Sequence, residues 1–150
     1  MKLSFYSGLL VCFLMAPGIL AKAQQFEDNT LILRDFGKER FAEVEELLVH
    51  NFFLIHEFDT EKYRFSTYER PFSKYPLALN MLMSIHGFMK GDDLYVFAYY
   101  AQPSSGSLES TFVRRSVYTR RRNLPVTVSF EEMVRIFAQL EHPMVFESMD

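Results

Sequence analysis

The stretch from Leu77 to Gln102 constrains the fold more than any other part of the chain. Two runs, Leu77 to Lys90 and Asp93 to Gln102, are joined by Gly91-Asp92. Glycine at the first turn position suits a type II′ hairpin, and so tight a turn leaves the strands a single register. Lys90 then faces Asp93, an opposite-charge pair across the strands. Met83, Ile85, Gly87 and Met89 fall beside Tyr100, Ala98, Val96 and Leu94 on one apolar face, which must meet helices. Ser84, His86 and Phe88 fall beside Tyr99, Phe97 and Tyr95 on the other, a face more aromatic than a solvated sheet normally shows.

Around this hairpin the remaining elements follow from periodicity. Thr30 to Arg34 reads as a short strand, and Asp35 is placed to cap a helix running to about His50. Its apolar stripe is Phe41, Val44, Leu47 and Leu48, with Phe52 and Ile55 continuing the spacing if the helix persists. The expected break is near Asn51, and residues 51 to 58 are open between helix and strand, with a turn at Asp59-Thr60. From Lys62 to Glu69, Tyr63, Phe65 and Thr67 alternate with Arg64, Ser66 and Tyr68, the pattern of a strand with dissimilar faces. Pro71 and Pro76 bracket a connector, Gln102 to Ser110 is a loop, and Thr111 to Arg120 resumes as a strand. Ser129 with Glu132 forms a capping box for a last helix bearing Phe130, Met133, Val134, Phe137 and Leu140, ended by His142-Pro143.

The expectation is an α+β domain, a mainly antiparallel sheet with two helices packed on one face. The order of elements over residues 30 to 141 resembles the TBP-like β-α-β4-α arrangement, also seen in small exported bacterial domains. A cystatin-like or nuclear-transport-factor-like grip of helix by sheet fits the same order. The resemblance rests on element order and carries over no site residue and no activity.

The amino terminus reads as a secretory signal peptide over residues 1 to 23. Lys2 precedes an apolar block from Leu9 to Leu20, shorter than the run of about 20 that spans a membrane. Pro17-Gly18 breaks the block, and Ala21-Lys22-Ala23 places small side chains for cleavage after Ala23. A lipoprotein cut before Cys12 is disfavoured by the bulk of Val11. Cleavage removes the single cysteine, Cys12, and with Lys2 and Lys22 gone the formal charge moves from −3 to −5. The resulting domain, residues 24 to 150, has no disulfide and no thiolate ligand, so its core alone must stabilise it. Its aromatic-rich composition, 16% for the whole chain, supplies that core. Lack of disulfides and of an Asn-X-Ser/Thr acceptor favours bacterial export, to the periplasm or cell envelope.

Candidate chemistry is sparse. His50 and His56 lie near Glu57 and Asp59, but the spacing matches no zinc framework. Glu43, Glu45, Glu46, Glu131 and Glu132 lie off the apolar stripes and read as solvated helix faces. Met81, Met83, Met89 and Met133 could line a ligand cavity between sheet and helix, though methionines more often pack a core. No phosphate loop, nucleophile elbow or zincin motif occurs, and no cofactor is implied. His86, opposite Phe97, is the one candidate general base, without an orienting carboxylate recognisable in the sequence.

Arg114, Arg115, Arg120, Arg121 and Arg122, with Tyr118 among them, make a local basic cluster able to hold an acidic partner by bidentate pairs and stacking. Nucleic acid is not expected for an exported chain of net negative charge. The leading expectation is a non-catalytic domain that binds a protein or other envelope macromolecule. Its binding face would comprise His86, Phe88, Tyr95, Phe97 and Tyr99, aided by the arginines. The alternative is a small-molecule site or simple acid-base enzyme using His86. Amino-terminal sequencing of the exported protein is expected to read Gln24-Gln25-Phe26, and a product still carrying Met1 to Ala23 would refute the cleavage site.

Overall fold

The computed structural model describes residues 28–71, 81–103, 111–119 and 124–149. The segment expected to be a signal peptide, the connector around Pro76, most of the serine-rich loop and Arg120, Arg121 and Arg122 lie outside the described residues. In chain order the elements are β1 (Thr30–Leu33), α1 (Phe41–His50), β2 (Ile55–Asp59), β3 (Arg64–Thr67) and β4 (Arg70–Pro71). There follow β5 (Leu82–Lys90), β6 (Asp93–Pro103), β7 (Thr111–Arg115), α2 (Pro125–Phe137) and β8 (Met144–Glu147).

The β5–β6 hairpin forms in the expected register, from Lys90 opposite Asp93 through Gly87 opposite Val96 to Met83 opposite Tyr100. Gly91 has φ +65° and Asp92 is not left-handed, the φ pattern of a II′ turn. Every other strand is added antiparallel to this ribbon or to its neighbours, giving the order β2-β3-β5-β6-β1-β8. β4 continues along β5 past the end of β3, and β7 continues along β6 past the end of β1.

Both helices cover one face of the sheet, where a single core gathers. Phe41, Val44, Leu47 and Leu48 of α1 meet Phe130, Met133, Ile136 and Phe137 of α2 over Met83, Ile85, Leu94, Val96 and Ala98 of the hairpin. Gly87 is what lets the aromatic layer close. Its register partner on β3 is Phe65, whose ring lies across the missing side chain and reaches a stacked position 6.4 Å from Phe137.

Several expectations are corrected here. Asp35 does not cap α1: it is left-handed, φ 52°, and its amide donates to the Asp93 carboxylate. That carboxylate pairs with Arg34 rather than with Lys90, and Arg34 also pairs with Glu147 of β8. The clasp turns the chain sharply after β1, so α1 starts only at Phe41, behind a 3-10 turn over Lys38–Arg40. α1 does stop at Asn51, and Phe52 leaves the stripe altogether, left-handed at φ 64° and 84% exposed. The open segment resolves as the edge strand β2.

The last helix begins at Pro125, four residues before the proposed cap, because a proline at the first helical position needs no amide partner. Ser129 is interior, its hydroxyl donating to the Pro125 carbonyl at 2.9 Å. Glu132 is no solvated acid either, since it is only 11% exposed and holds Arg70 and Arg135. The strand expected over Thr111 to Arg120 ends at Arg115, where Ser116 turns inward to meet the Ser129 hydroxyl. β8, beyond His142-Pro143, was not anticipated; it pairs along the whole of β1.

A Cβ at position 87 would lie 2.5 Å from Phe65 Cε1 and 2.6 Å from the Tyr95 carbonyl oxygen. Gly87→Ala should therefore cost about 1–3 kcal/mol in urea unfolding. Trimming the ring in a Phe65→Leu background should make the added methyl less costly, whereas an unchanged cost in both backgrounds would exclude the ring contact as its source.

Candidate functional site

The face of the hairpin turned away from the helices carries a ladder of rings, because alternation sends every second side chain of β5 and β6 to that side. Phe88 and Tyr95 are cross-strand partners stacked at 5.3 Å and 3°. His86 and Phe97, the next pair, stack at 5.9 Å and 12°, and Tyr99 sets its edge against both, 5.0 Å from His86 and 5.8 Å from Phe97. Phe88 meets Phe97 at 6.3 Å, so the five rings form one connected array. Tyr95, 8% exposed, is largely packing, while His86, Phe88, Phe97 and Tyr99 are half-buried.

Of the five arginines, Arg114 and Arg115 lie among the described residues, and these two part company. Arg114 and Arg115 face Tyr100 and Tyr99 across β6, so their side chains leave opposite faces of the sheet. Arg114 is exposed. Arg115 is built into the ring array: its guanidinium lies 4.7 Å over Phe97, and it donates to Thr30 Oγ1 at 2.8 Å and to the Met149 carbonyl at 3.3 Å. Its buried Nε finds no acceptor among the described residues, and burial pushes the Arg115 pKa down. The ring beneath it supplies part of the compensation.

Two open grooves meet at His86. One, about 420 Å³, is lined by His56, Tyr68, Glu69, Ser84, His86 and Tyr99 among others. The other, about 380 Å³, runs between Glu57, Arg64 and Ser66 on one side and His86, Phe88 and Phe97 on the other. The floor is low because Ser66 and Ser84 are small. β2 and β3 raise the far wall, where the His56 ring stands edge-on to Tyr68 at 4.8 Å and its Nδ1 meets Ser66 Oγ at 3.2 Å.

Sequence reasoning placed the hairpin half of this site and missed the other. His56 read as a boundary histidine and Glu69 was not singled out. The usable signal was the alternation after Lys62, which sets Arg64, Ser66 and Tyr68 on the same side as His86. His50 and His56 gather no metal set, and among the described residues no group of three or more His, Cys, Asp and Glu could hold an ion. Met81, Met83 and Met133 are buried in the core, and both of these grooves open on the opposite face. Among the described residues no helix is long and apolar enough to cross a membrane.

His86 Nε2 lies 3.1 Å from Ser84 Oγ. Burial, and secondarily the neighbouring His56, push the His86 pKa below the ordinary 6.5. A neutral imidazole fits its position flat against Phe97, since charging it there would strip hydration without supplying a counter-charge. No protein-family model, curated protein or solved structure matches the chain.

The depressed pKa fixes a pH dependence. Between 6.5 and the lower folded value the unfolded chain binds the proton more readily, so the His86 contribution is complete above 6.5 and is lost as pH falls through that window. Urea midpoints of wild type should thus fall more steeply with acidification than those of His86→Phe. Parallel pH profiles would show that His86 is solvated.

Proposed function

We propose that this chain is an exported, non-catalytic binding module that captures another macromolecule, a protein of the cell envelope, through the ring-bearing face of its sheet. The observation that carries the reading is the connected array of His86, Phe88, Phe97 and Tyr99 on the face opposite the described helices, bordered by two grooves. Rings already braced against one another present apolar area with little freedom left to lose, which is how aromatic anchors contribute at interfaces. Arg115, spread over Phe97, would add a cationic rim.

The Ser84–His86 contact is the one observation favouring an acid-base enzyme. Ser84 is 6% exposed, and among the described residues no carboxylate is hydrogen-bonded to His86. Among the described residues the pair therefore lacks the third group that would orient the imidazole.

Replacing Phe97 and Tyr99 together by serine should leave the far-UV dichroism unchanged and weaken capture of the envelope partner at least about tenfold, as loss of two anchor rings implies. Full retention of the partner by the folded double variant would refute this face as the binding surface.

A further inference from the structure

The groove between Tyr68 and Tyr99 has a chemistry of its own, and what it would accept depends on the binding-face reading above. Its one carboxylate, Glu69, is exposed and forms no ion pair among the described residues. The nearby Glu57 is already taken by Arg64 at 2.6 Å. Two tyrosines and two imidazoles line the groove together with Glu69, and Ser84 and Thr67 add hydroxyls. An anion would meet this carboxylate with no lysine or arginine among the described lining residues to offset it. A purely apolar side chain would bury the hydroxyls and the carboxylate without partners. A cation with a long apolar stem satisfies all three kinds of wall at once: the stem lies on the rings, the charge meets their π faces, and the head reaches the carboxylate.

The fold repeatedly makes the same contact internally. Arg70 lies 4.2 Å over Phe53, Arg40 lies 4.8 Å over Phe36, and Arg115 covers Phe97 beside this groove. We infer that the groove is a receptor for a basic side chain, arginine or lysine, projected by the partner protein. Among the described residues the charged and titratable groups facing it are His56 from β2, Tyr68 and Glu69 after β3, His86 from β5, Tyr99 from β6 and Arg115 at the border. Arg115 is already committed to Phe97, Thr30 and Met149, so it confines the incoming cation to the Tyr68 side.

The test uses the purified full chain, with the ring-proton resonances of Tyr68, His86 and Tyr99 as readout. The probes are an acetylated, amidated Gly-Gly-Arg-Gly-Gly peptide and its citrulline isostere, which keeps the shape without the charge. Above pH 6.5, the ordinary histidine value, the arginine peptide should shift these rings saturably while the citrulline peptide does not. Glu69→Gln, an exposed change that leaves the core alone, should weaken binding about two- to fivefold, the size of one solvated charge contact. Equal response to both peptides, no response to arginine, or an unchanged affinity in Glu69→Gln would each overturn the inference. Partner capture separates the two readings: a partner lost by the Phe97/Tyr99 double variant but indifferent to Glu69→Gln and unmatched by the arginine peptide leaves the binding face standing and removes the basic side chain. A partner retained by the double variant removes the face itself.

Discussion

The turn at Gly91-Asp92 fixes the register on which everything else in this molecule depends. With only two residues between Lys90 and Asp93, each strand position has one partner, and a slip by one residue would exchange the two faces of the ribbon. The core then requires Met83, Ile85, Val96 and Ala98 to point toward the helices, and the ring ladder is the unavoidable complement of that choice. The turn is also an anchor for the rest of the chain. The Asp92 carbonyl accepts from the Gly37 amide, and Asp93 holds both the Asp35 amide and the Arg34 guanidinium. Through Arg34 the same point reaches Glu147 on β8. One hairpin tip thereby joins β1, the entrance to α1 and the edge of the sheet.

A second consequence concerns which face stays uncovered. The connections that carry α1 and α2 both return over the Gly87 side, where the Phe65 ring fills the space a side chain would occupy. Apolar side chains of both helices close over that face in one core, so among the described residues no helix covers His86, Phe97 and Tyr99. Their exposure is a result of topology rather than of polarity, because their side chains would be equally at home inside. The left-handed Phe52 at the end of α1 belongs to a different feature: its amide donates to the Val49 carbonyl, and with Val49 and Leu54 it forms an exposed apolar corner.

How much of this was legible in the sequence follows from the range of each interaction. The hairpin, its register and the stripe of α1 depend on period and on a two-residue turn, all local, and the chain states them openly. The start of α1 depends on Arg34 meeting Asp93, fifty-nine positions away, so Asp35 looked like a cap and proved to be a bend. Ser129 and Glu132 have the spacing of a capping box, but Pro125 sets the helix start earlier, and Ser116 and Arg70 claim the two side chains instead. β8 is four residues long and exists only because β1 offers it an edge. The groove was half legible for the same reason: His86 and Tyr99 come from the hairpin, whereas His56, Tyr68 and Glu69 arrive by the pairing of β2 and β3, which no single segment announces.

If the ring-bearing face binds as proposed, its array is assembled beforehand. Ordering a rotamer-rich side chain on binding costs about 0.5–1.5 kcal/mol, and in this array most of that cost is met within the folded chain. Phe88 is held by Tyr95, Phe97 by His86 and Arg115, and His86 by Ser84 and Tyr99. The preassembly has its own energetic cost: Arg115 has a buried nitrogen without an acceptor among the described residues, and desolvation pushes the His86 pKa down. A chain selected for stability alone would relieve both by replacing Arg115 and His86 with apolar residues of similar size, which buried charged groups often tolerate with gain. Arg115 and His86 thus concentrate two such costs on the ring-bearing face, while a third, the buried Nε of Arg70 without an acceptor among the described residues, lies on the helix side over Phe53 and beside Glu132 of α2.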